Sequence, residues 1–234
     1  MCGTGFGFSV EKEEVDKLPV IPEIKSGRAL DKIPIFDSKA GWADSVKMLM
    51  QNLYDGQNIH FDYSQIRPEG ARLRTMGGRA SGPQPLIKLH DFIRETMHNS
   101  QGRKLTTIEA HDICNQIAEI VVVGGVRRSS QISLSGLDDK DMRHAKEWPF
   151  PIKRAMANNS AIYREKPSAG QFLKEWAELA LSGTGERGIF NLQAAQSKAP
   201  SRRYAPLIQG TNPCGEIMLR DMEFCNLSEV VVRA

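Results

Sequence analysis

The sequence predicts an α/β protein built on parallel strands, and three observations carry that expectation. From residue 59 onward, short apolar runs of strand length alternate with longer stretches whose apolar residues recur at helical spacing. Several of those helical stretches carry their own capping residues. Strands separated by whole helices pair in parallel through crossovers, whereas hairpin partners would be joined by a few residues. No internal repeat is present.

In order, the chain opens on Met1-Cys2-Gly3-Thr4-Gly5-Phe6-Gly7-Phe8-Ser9-Val10, glycines running into an alternating strand. Glycines at 3, 5 and 7 would let a backbone pass close to a nucleotide; on pattern alone, a flexible terminus fits equally. Residues 11–37 mix charges with Pro19, Pro22 and Pro34 and read as a surface excursion. Ser38 then caps a helix with Trp42, Val46, Leu49 and Leu53 at a 3.6 period, closed by Gly56. Ile59–Tyr63 reads as a strand ended by Arg67-Pro68. Gly77–Pro85 is a glycine- and proline-rich loop opening a helix with Leu86, Leu89, Ile93 and Met97 on one face. Free N–H groups at such a helix start favour anions, and Arg79 would add a charged donor; an ordinary helix entry with a solvated Arg is the alternative.

Thr106 and Glu109 form a capping box for the next helix, with Ile113, Ile117 and Ile120 on its apolar face and Cys114 beside it as a structural thiol. Gly124-Gly125 ends it. Val126-Arg127-Arg128-Ser129-Ser130 follows, two fork-shaped donors after a double glycine, suited to phosphates or base edges or simply to a solvated basic turn. Ile132–Leu134 is a short strand. Asp138–Glu147 reads as a charged, solvated helix in which His144 has no evident partner. Asn158-Asn159-Ser160 leads into a strand at Ala161–Tyr163, Ser168 with Gln171 caps a helix bearing Phe172, Trp176 and Leu179, and Ile189-Phe190-Asn191 is the next strand.

Composition narrows the function classes. The 234 residues are 40% hydrophobic, and 31 basic against 28 acidic residues leave a net charge of only +3. Small anionic ligands fit that balance better than a nucleic acid. No apolar run approaches the roughly 20 residues needed to span a bilayer. Four Cys at irregular spacing are neither a disulfide framework nor a zinc site, so no metal is expected and the compartment reads as reducing and cytoplasmic.

The chemistry concentrates in Thr211-Asn212-Pro213-Cys214-Gly215-Glu216-Ile217, with Glu223-Phe224-Cys225-Asn226-Leu227 downstream. Asn212, Cys214 and Glu216 alternate, so an extended or tightly looped backbone would turn all three toward one side of a rigid, buried loop. Cys225, eleven positions further on, could meet Cys214 across a hairpin. None of the five His lies nearby to activate a thiolate. An anionic Glu216 would oppose thiolate formation, which suits a Cys that reacts as a neutral hydrogen-atom donor and acceptor.

Asn-Pro-Cys-Gly-Glu-Ile with a later Cys-Asn-Leu-Ser-Glu-Val resembles the catalytic finger loop of ribonucleotide reductases, specifically the monomeric adenosylcobalamin-dependent (class II) ribonucleoside-triphosphate branch. Phe61–Ala71, Gly77–Leu86, Asp112–Asn115, Gly124–Ser129 and Asn158–Ser160 are similar to that family's segments in the same order, as is Gly185–Asn191 with Arg187 where the family more often has Pro. A di-iron (class I) reductase shares the Asn-x-Cys-x-Glu loop, but Ala80-Ser81-Gly82-Pro83 and Cys225-Asn226-Leu227-Ser228-Glu229-Val230 favour the cobalamin branch. A catalytically silent nucleotide-binding fragment is the non-enzymatic alternative.

The resemblance implies part of a ten-stranded α/β barrel threaded by the finger loop. It implies Cys214 as thiyl radical, Glu216 as general base, Asn212 on the sugar hydroxyls, and Cys225 with an upstream thiol, not Cys2, as the reducing pair. Gly5, Ser81, Gly82, Gly124, Gly125, Arg127 and Arg128 would contact substrate or effector, with Arg127 nearer the substrate. The implied partners are a ribonucleoside triphosphate or diphosphate, a deoxynucleotide effector, a thioredoxin-like dithiol and adenosylcobalamin, whose contacts would lie mostly elsewhere. Residues 1–234 are therefore expected to be one piece of the barrel domain, completed by further N- and C-terminal parts of the reductase and inactive alone.

Overall fold

The computed structural model describes residues 4–25, 32–73, 78–123, 130–183, 185–226 and 230. The chain divides into two units: residues 10–129 with 139–156, and residues 4–9, 130–138 and 157 onward.

The first unit is built on three helices, α2 (Lys39–Tyr54), α3 (Gln84–Asn99) and α4 (Thr107–Val123), with α3 packed against both others. Its ends follow the local chemistry. Ser38 Oγ accepts the Gly41 N–H at 2.9 Å. Thr106 Oγ1 accepts from Glu109 N while Glu109 Oε2 accepts from Thr106 N, the reciprocal box. Arg103 beside Glu109 holds that carboxyl down at about 2. Leu86, Leu89, Ile93 and Met97 are wholly buried along one stripe of α3.

The described residues of 11–37, a stretch read from the sequence as a surface excursion, include four buried apolar side chains. After the short α1 (Lys12–Val15), Val15, Ile21, Ile24 and Ile35 are buried. The cause lies in the backbone: Ile21 N–H donates to Arg103 O and Ile21 O accepts from Gly102 N, while Ile24 N–H donates to Gln101 Oε1. A strand β2 (Lys32–Pro34) pairs in parallel with β3 (His60–Asp62). In the charged run 138–147, α5 (Lys140–Arg143) buries Met142, and His144 does have a partner, Glu147 at 2.5 Å. Arg154 grips Asp112 of α4 through two bonds of 2.7 and 2.9 Å.

One buried polar group within this unit went unmarked in the sequence. His90, fully buried on the apolar stripe of α3, bonds Ser45 Oγ at 3.1 Å and Tyr63 OH at 2.7 Å, with the Phe61 ring 4.7 Å from its own. Burial, and then the nearby Arg94 charge, push His90 down to about 3, and burial pushes His111 down to about 4. Both rings are neutral when folded, so the unfolded chain takes up protons below pH 6.5 that the folded chain refuses. Stability is full above that pH and falls as pH drops toward 4. Urea unfolding at pH 4.5 should show a loss on the order of 2 kcal/mol from His90 relative to pH 7. His90→Gln should flatten that slope; an unchanged slope would contradict a buried neutral ring.

The second unit is α/β. Its sheet is fully parallel in the order β1 (Gly5–Ser9), β4 (Ser130–Ser135), β5 (Ala157–Tyr163), β6 (Gly188–Asn191). The registers Gly7↔Ile132, Ile132↔Asn158 and Ile162↔Phe190 define one face. On it, Ile132, Leu134, Ile162 and Phe190 form a core with Leu192 and Ile208. The expected box of Ser168 and Gln171 opens α6 (Ala169–Ser182), and Asn191 caps α7 (Leu192–Ser197). Helix α6 turns Glu175 inward and leaves Phe172 and Trp176 largely exposed. A short antiparallel hairpin, β7 (Gly210–Thr211) and β8 (Met218–Leu219), completes the unit. Among the described residues the sheet does not close into a barrel, and no helix is long and apolar enough to cross a membrane.

Candidate active site

The loop joining β7 to β8 carries Asn212, Cys214 and Glu216. Register places Gly210 opposite Leu219 and Thr211 opposite Met218, so Asn212 and Ile217 face each other at the loop's neck. Asn212 N–H donates to Ile217 O at 3.0 Å, as a ladder requires. The return bond is altered: Asn212 O accepts from Gly215 N at 3.0 Å, and Ile217 N–H donates to the side-chain Oδ1 of Asn212 at 3.0 Å. The carboxamide thus substitutes for a backbone carbonyl that has been diverted into a β-turn. That turn is Asn212-Pro213-Cys214-Gly215, with Pro at the position whose fixed φ suits it. Gly215 follows at φ +85°, a conformation side chains resist.

This geometry corrects the alternation argument. A turn does not keep period-2 sidedness, so the three groups do not face one way. Asn212 is buried in the neck, whereas Cys214 and Glu216 are exposed. The loop is therefore buried at its base and open at its tip.

Cys225 is brought to the same place by β1. Gly5 and Cys225 exchange backbone bonds, Gly5 N to Cys225 O at 3.1 Å and Cys225 N to Gly5 O at 2.6 Å. A Cβ on Gly5 would lie 3.1 Å from Pro213 Cδ and 3.5 Å from Cys225 Cβ. Gly5 makes room for the turn on one side and the second cysteine on the other. Cys225 is buried and unpaired as a disulfide. Gly7 is tighter still, since its Cβ would fall on Thr211 O and 3.1 Å from Ile132 Cγ2. Gly7→Ala should therefore destabilise by about 2 kcal/mol through overpacking. Gly170→Ala, a helical site with nothing within 4 Å, should be neutral or slightly stabilising. Paired urea denaturation curves check both; equal curves would show that the hairpin does not rest on β1.

Ser81 and Gly82 lie in the first unit, where Ser81 Oγ contacts Gly82 O at 3.4 Å and Gly82 is buried at φ +70° against Glu69. Arg79 donates to Gly70 O. Gly124, Gly125, Arg127 and Arg128 lie outside the described residues. Burial pushes the Cys114 thiol up to about 12. Sequence reasoning missed Asn158, whose Nδ2 donates to Pro213 O at 2.9 Å. Its adjacency to a second Asn at a strand start was the signal available.

Comparison with known proteins bears on the same segments. A family model described as the insertion domain of B12-dependent ribonucleotide reductase matches residues 9–97, and one described as the ribonucleotide reductase barrel domain matches residues 126–234. The stretch 9–97, expected to belong to the barrel, thus matches an insertion domain. The adenosylcobalamin-dependent ribonucleoside-triphosphate reductase of Lacticaseibacillus paracasei is 31% identical over 274 residues, 98% of this chain and 36% of that protein. Its counterpart in Lactobacillus leichmannii is also 31% identical, over 277 residues, again 98% of this chain and 36% of that protein. A crystal structure of a B12-dependent (class II) ribonucleotide reductase superposes with a TM-score of 0.80 at 28% identity, covering 95% of this chain and 36% of that one. The chain thus spans about a third of the length of the relatives it matches.

Proposed function

Because the chain belongs to the B12-dependent ribonucleotide reductases, we propose that it supplies the reacting-cysteine segment of an enzyme that reduces ribonucleotides to deoxyribonucleotides. The observation that carries this reading is an exposed Cys214 at the tip of a clamped turn, with a second thiol, Cys225, seated across Gly5 from the same turn.

The substrate is a ribonucleoside triphosphate, the class named for the relatives. Cys214, as a thiyl radical, takes the 3′ hydrogen, becoming a thiol and leaving a radical on C3′. Glu216, exposed as Cys214 is, takes the 3′-hydroxyl proton as general base. The contact expected between Asn212 and the sugar falls to its Nδ2, since Oδ1 is committed to Ile217 N. Water leaves from C2′. Cys225 and a partner thiol outside these residues then supply two electrons and two protons and become a disulfide, which an external thioredoxin-like dithiol reduces by exchange. The 3′ oxygen recovers its proton from Glu216, and the C3′ radical recovers its hydrogen from Cys214.

Adenosylcobalamin, when bound, supplies the one-electron oxidation of the Cys214 thiol. Cys214 fits that role because its turn opens outward, with nothing within 4 Å of the space beside Gly215. We assign Ser81, Gly82, Arg127 and Arg128 to substrate or effector nucleotide contacts, and the sheet to part of a ten-stranded barrel closed by further residues of the reductase. Testing requires a complete reductase carrying this segment, assayed for deoxynucleotide formation with and without adenosylcobalamin. Cobalamin-independent turnover would overturn the reading.

A further inference from the structure

We propose that Asn158 is a positioning residue for Cys214, acting through the central peptide of the turn; the proposal rests on Cys214 being the reacting thiol. Asn158 is second in β5 and lies level with Ile132 of β4, on the sheet face that carries Gly5 and Gly7 by alternation. Its Nδ2 donates to Pro213 O at 2.9 Å. That oxygen belongs to the peptide joining Pro213 to Cys214, the middle unit of the turn Asn212–Gly215.

The middle peptide is the soft element of a β-turn. Types I and II differ mainly by a flip of this unit, and Pro at the second position is compatible with both. The other contacts secure the ends: Gly215 N–H on Asn212 O, and Ile217 N–H on Asn212 Oδ1. Gly5 gives the Pro213 ring a seat, but a ring in van der Waals contact does not fix which way the carbonyl points. The Asn158 bond does. It holds the carbonyl toward β5 and keeps Cys214, whose φ is negative, out of the conformation that a flipped peptide would impose. The direction in which the sulfur projects from the tip follows from that peptide plane. Asn158 is itself exposed, so its identity is not required by packing.

Asn158→Asp tests this cleanly, because the carboxylate keeps the shape but cannot donate. Asn158→Ala serves as a second variant. On this chain, with no nucleotide or cofactor, amide hydrogen exchange at Gly215 should accelerate about tenfold in both, while Ile132 in the sheet core exchanges at the parental rate. In a complete reductase carrying the substitution, kcat should fall by about 10- to 100-fold with KM unchanged within about twofold, the signature of a misplaced reacting group and not of lost substrate binding. Unaltered Gly215 exchange, or unaltered kcat, overturns the proposal. Failure of the functional reading itself would look different: turnover would survive Cys214→Ser whatever Asn158 does.

Discussion

Replacing Cys214 by Ser in a complete reductase carrying this segment is expected to abolish deoxynucleotide formation while leaving the fold intact. Cys214 is exposed at the tip of the turn, and the bonds that close the hairpin's neck belong to Asn212, Gly215 and Ile217. An exposed, near-isosteric exchange of this kind should move stability by no more than about 0.5 kcal/mol. Activity has no such tolerance. A serine O–H bond is far stronger than a thiol S–H bond, so the hydroxyl can neither be oxidised to a persistent radical nor pass a hydrogen back and forth with carbon at similar energy. Turnover should fall by at least about 1,000-fold, corresponding to about 4 kcal/mol of lost transition-state stabilisation. Deoxynucleotide assays beside thermal melts separate the two effects. Residual activity above a tenth of the parent would remove Cys214 from the chemistry.

The largest expected loss of stability follows from Arg187. Its guanidinium is buried, bonded to Glu175 Oε2 at 3.0 Å, to Ser135 Oγ at 3.1 Å and to the carbonyl of Gly136. These contacts tie the end of β4 to α6 and to the start of β6. Arg187→Ala would leave the Glu175 carboxylate, itself 7% exposed, without its counter-charge in a desolvated site. Breaking such a pair from one side costs about 3–5 kcal/mol, a large share of a typical domain's stability. The double change Arg187→Met with Glu175→Leu should recover most of that loss, because it removes both charges. Urea unfolding of the single and double variants checks this; a single variant within 1 kcal/mol of the parent would mean that the pair is solvated.

Much of this architecture was legible in the sequence because local chemistry and tertiary structure agree there. Ser38, the Thr106–Glu109 box and the Ser168–Gln171 box each open a helix where they stand, and α3 buries the four residues its period marks. What was not legible depends on distant partners. Ile21 and Ile24 look like loop residues until the α3–α4 turn offers them Arg103 O and Gln101 Oε1. His90 falls on the α3 stripe, yet only Ser45 and Tyr63, from two other elements, make a buried imidazole tolerable. Glu175 reads as a solvated helix residue until Arg187 faces it, and that pairing leaves Phe172 and Trp176 outside.

The candidate site divides along the same line. The thiol, the carboxylate and the carboxamide were identifiable by type, as was the later Cys225. Their directions were not, because alternation holds for strands and fails at a β-turn, where Asn212 turns inward to close the neck. Gly5 and Gly7 were visible as glycines needing a reason. The reason is the hairpin lying over them, which no local pattern encodes.

The most direct measurement of the central claim is the isotope effect on turnover of a ribonucleotide deuterated at C3′, using a complete cobalamin-supplied reductase that carries this segment. If Cys214 takes that hydrogen, the labelled substrate should turn over more slowly with a primary effect, and the Cys214→Ser form should not turn over at all. Equal rates for labelled and unlabelled substrate, together with a Cys214→Ser enzyme that still forms deoxynucleotide, would contradict it.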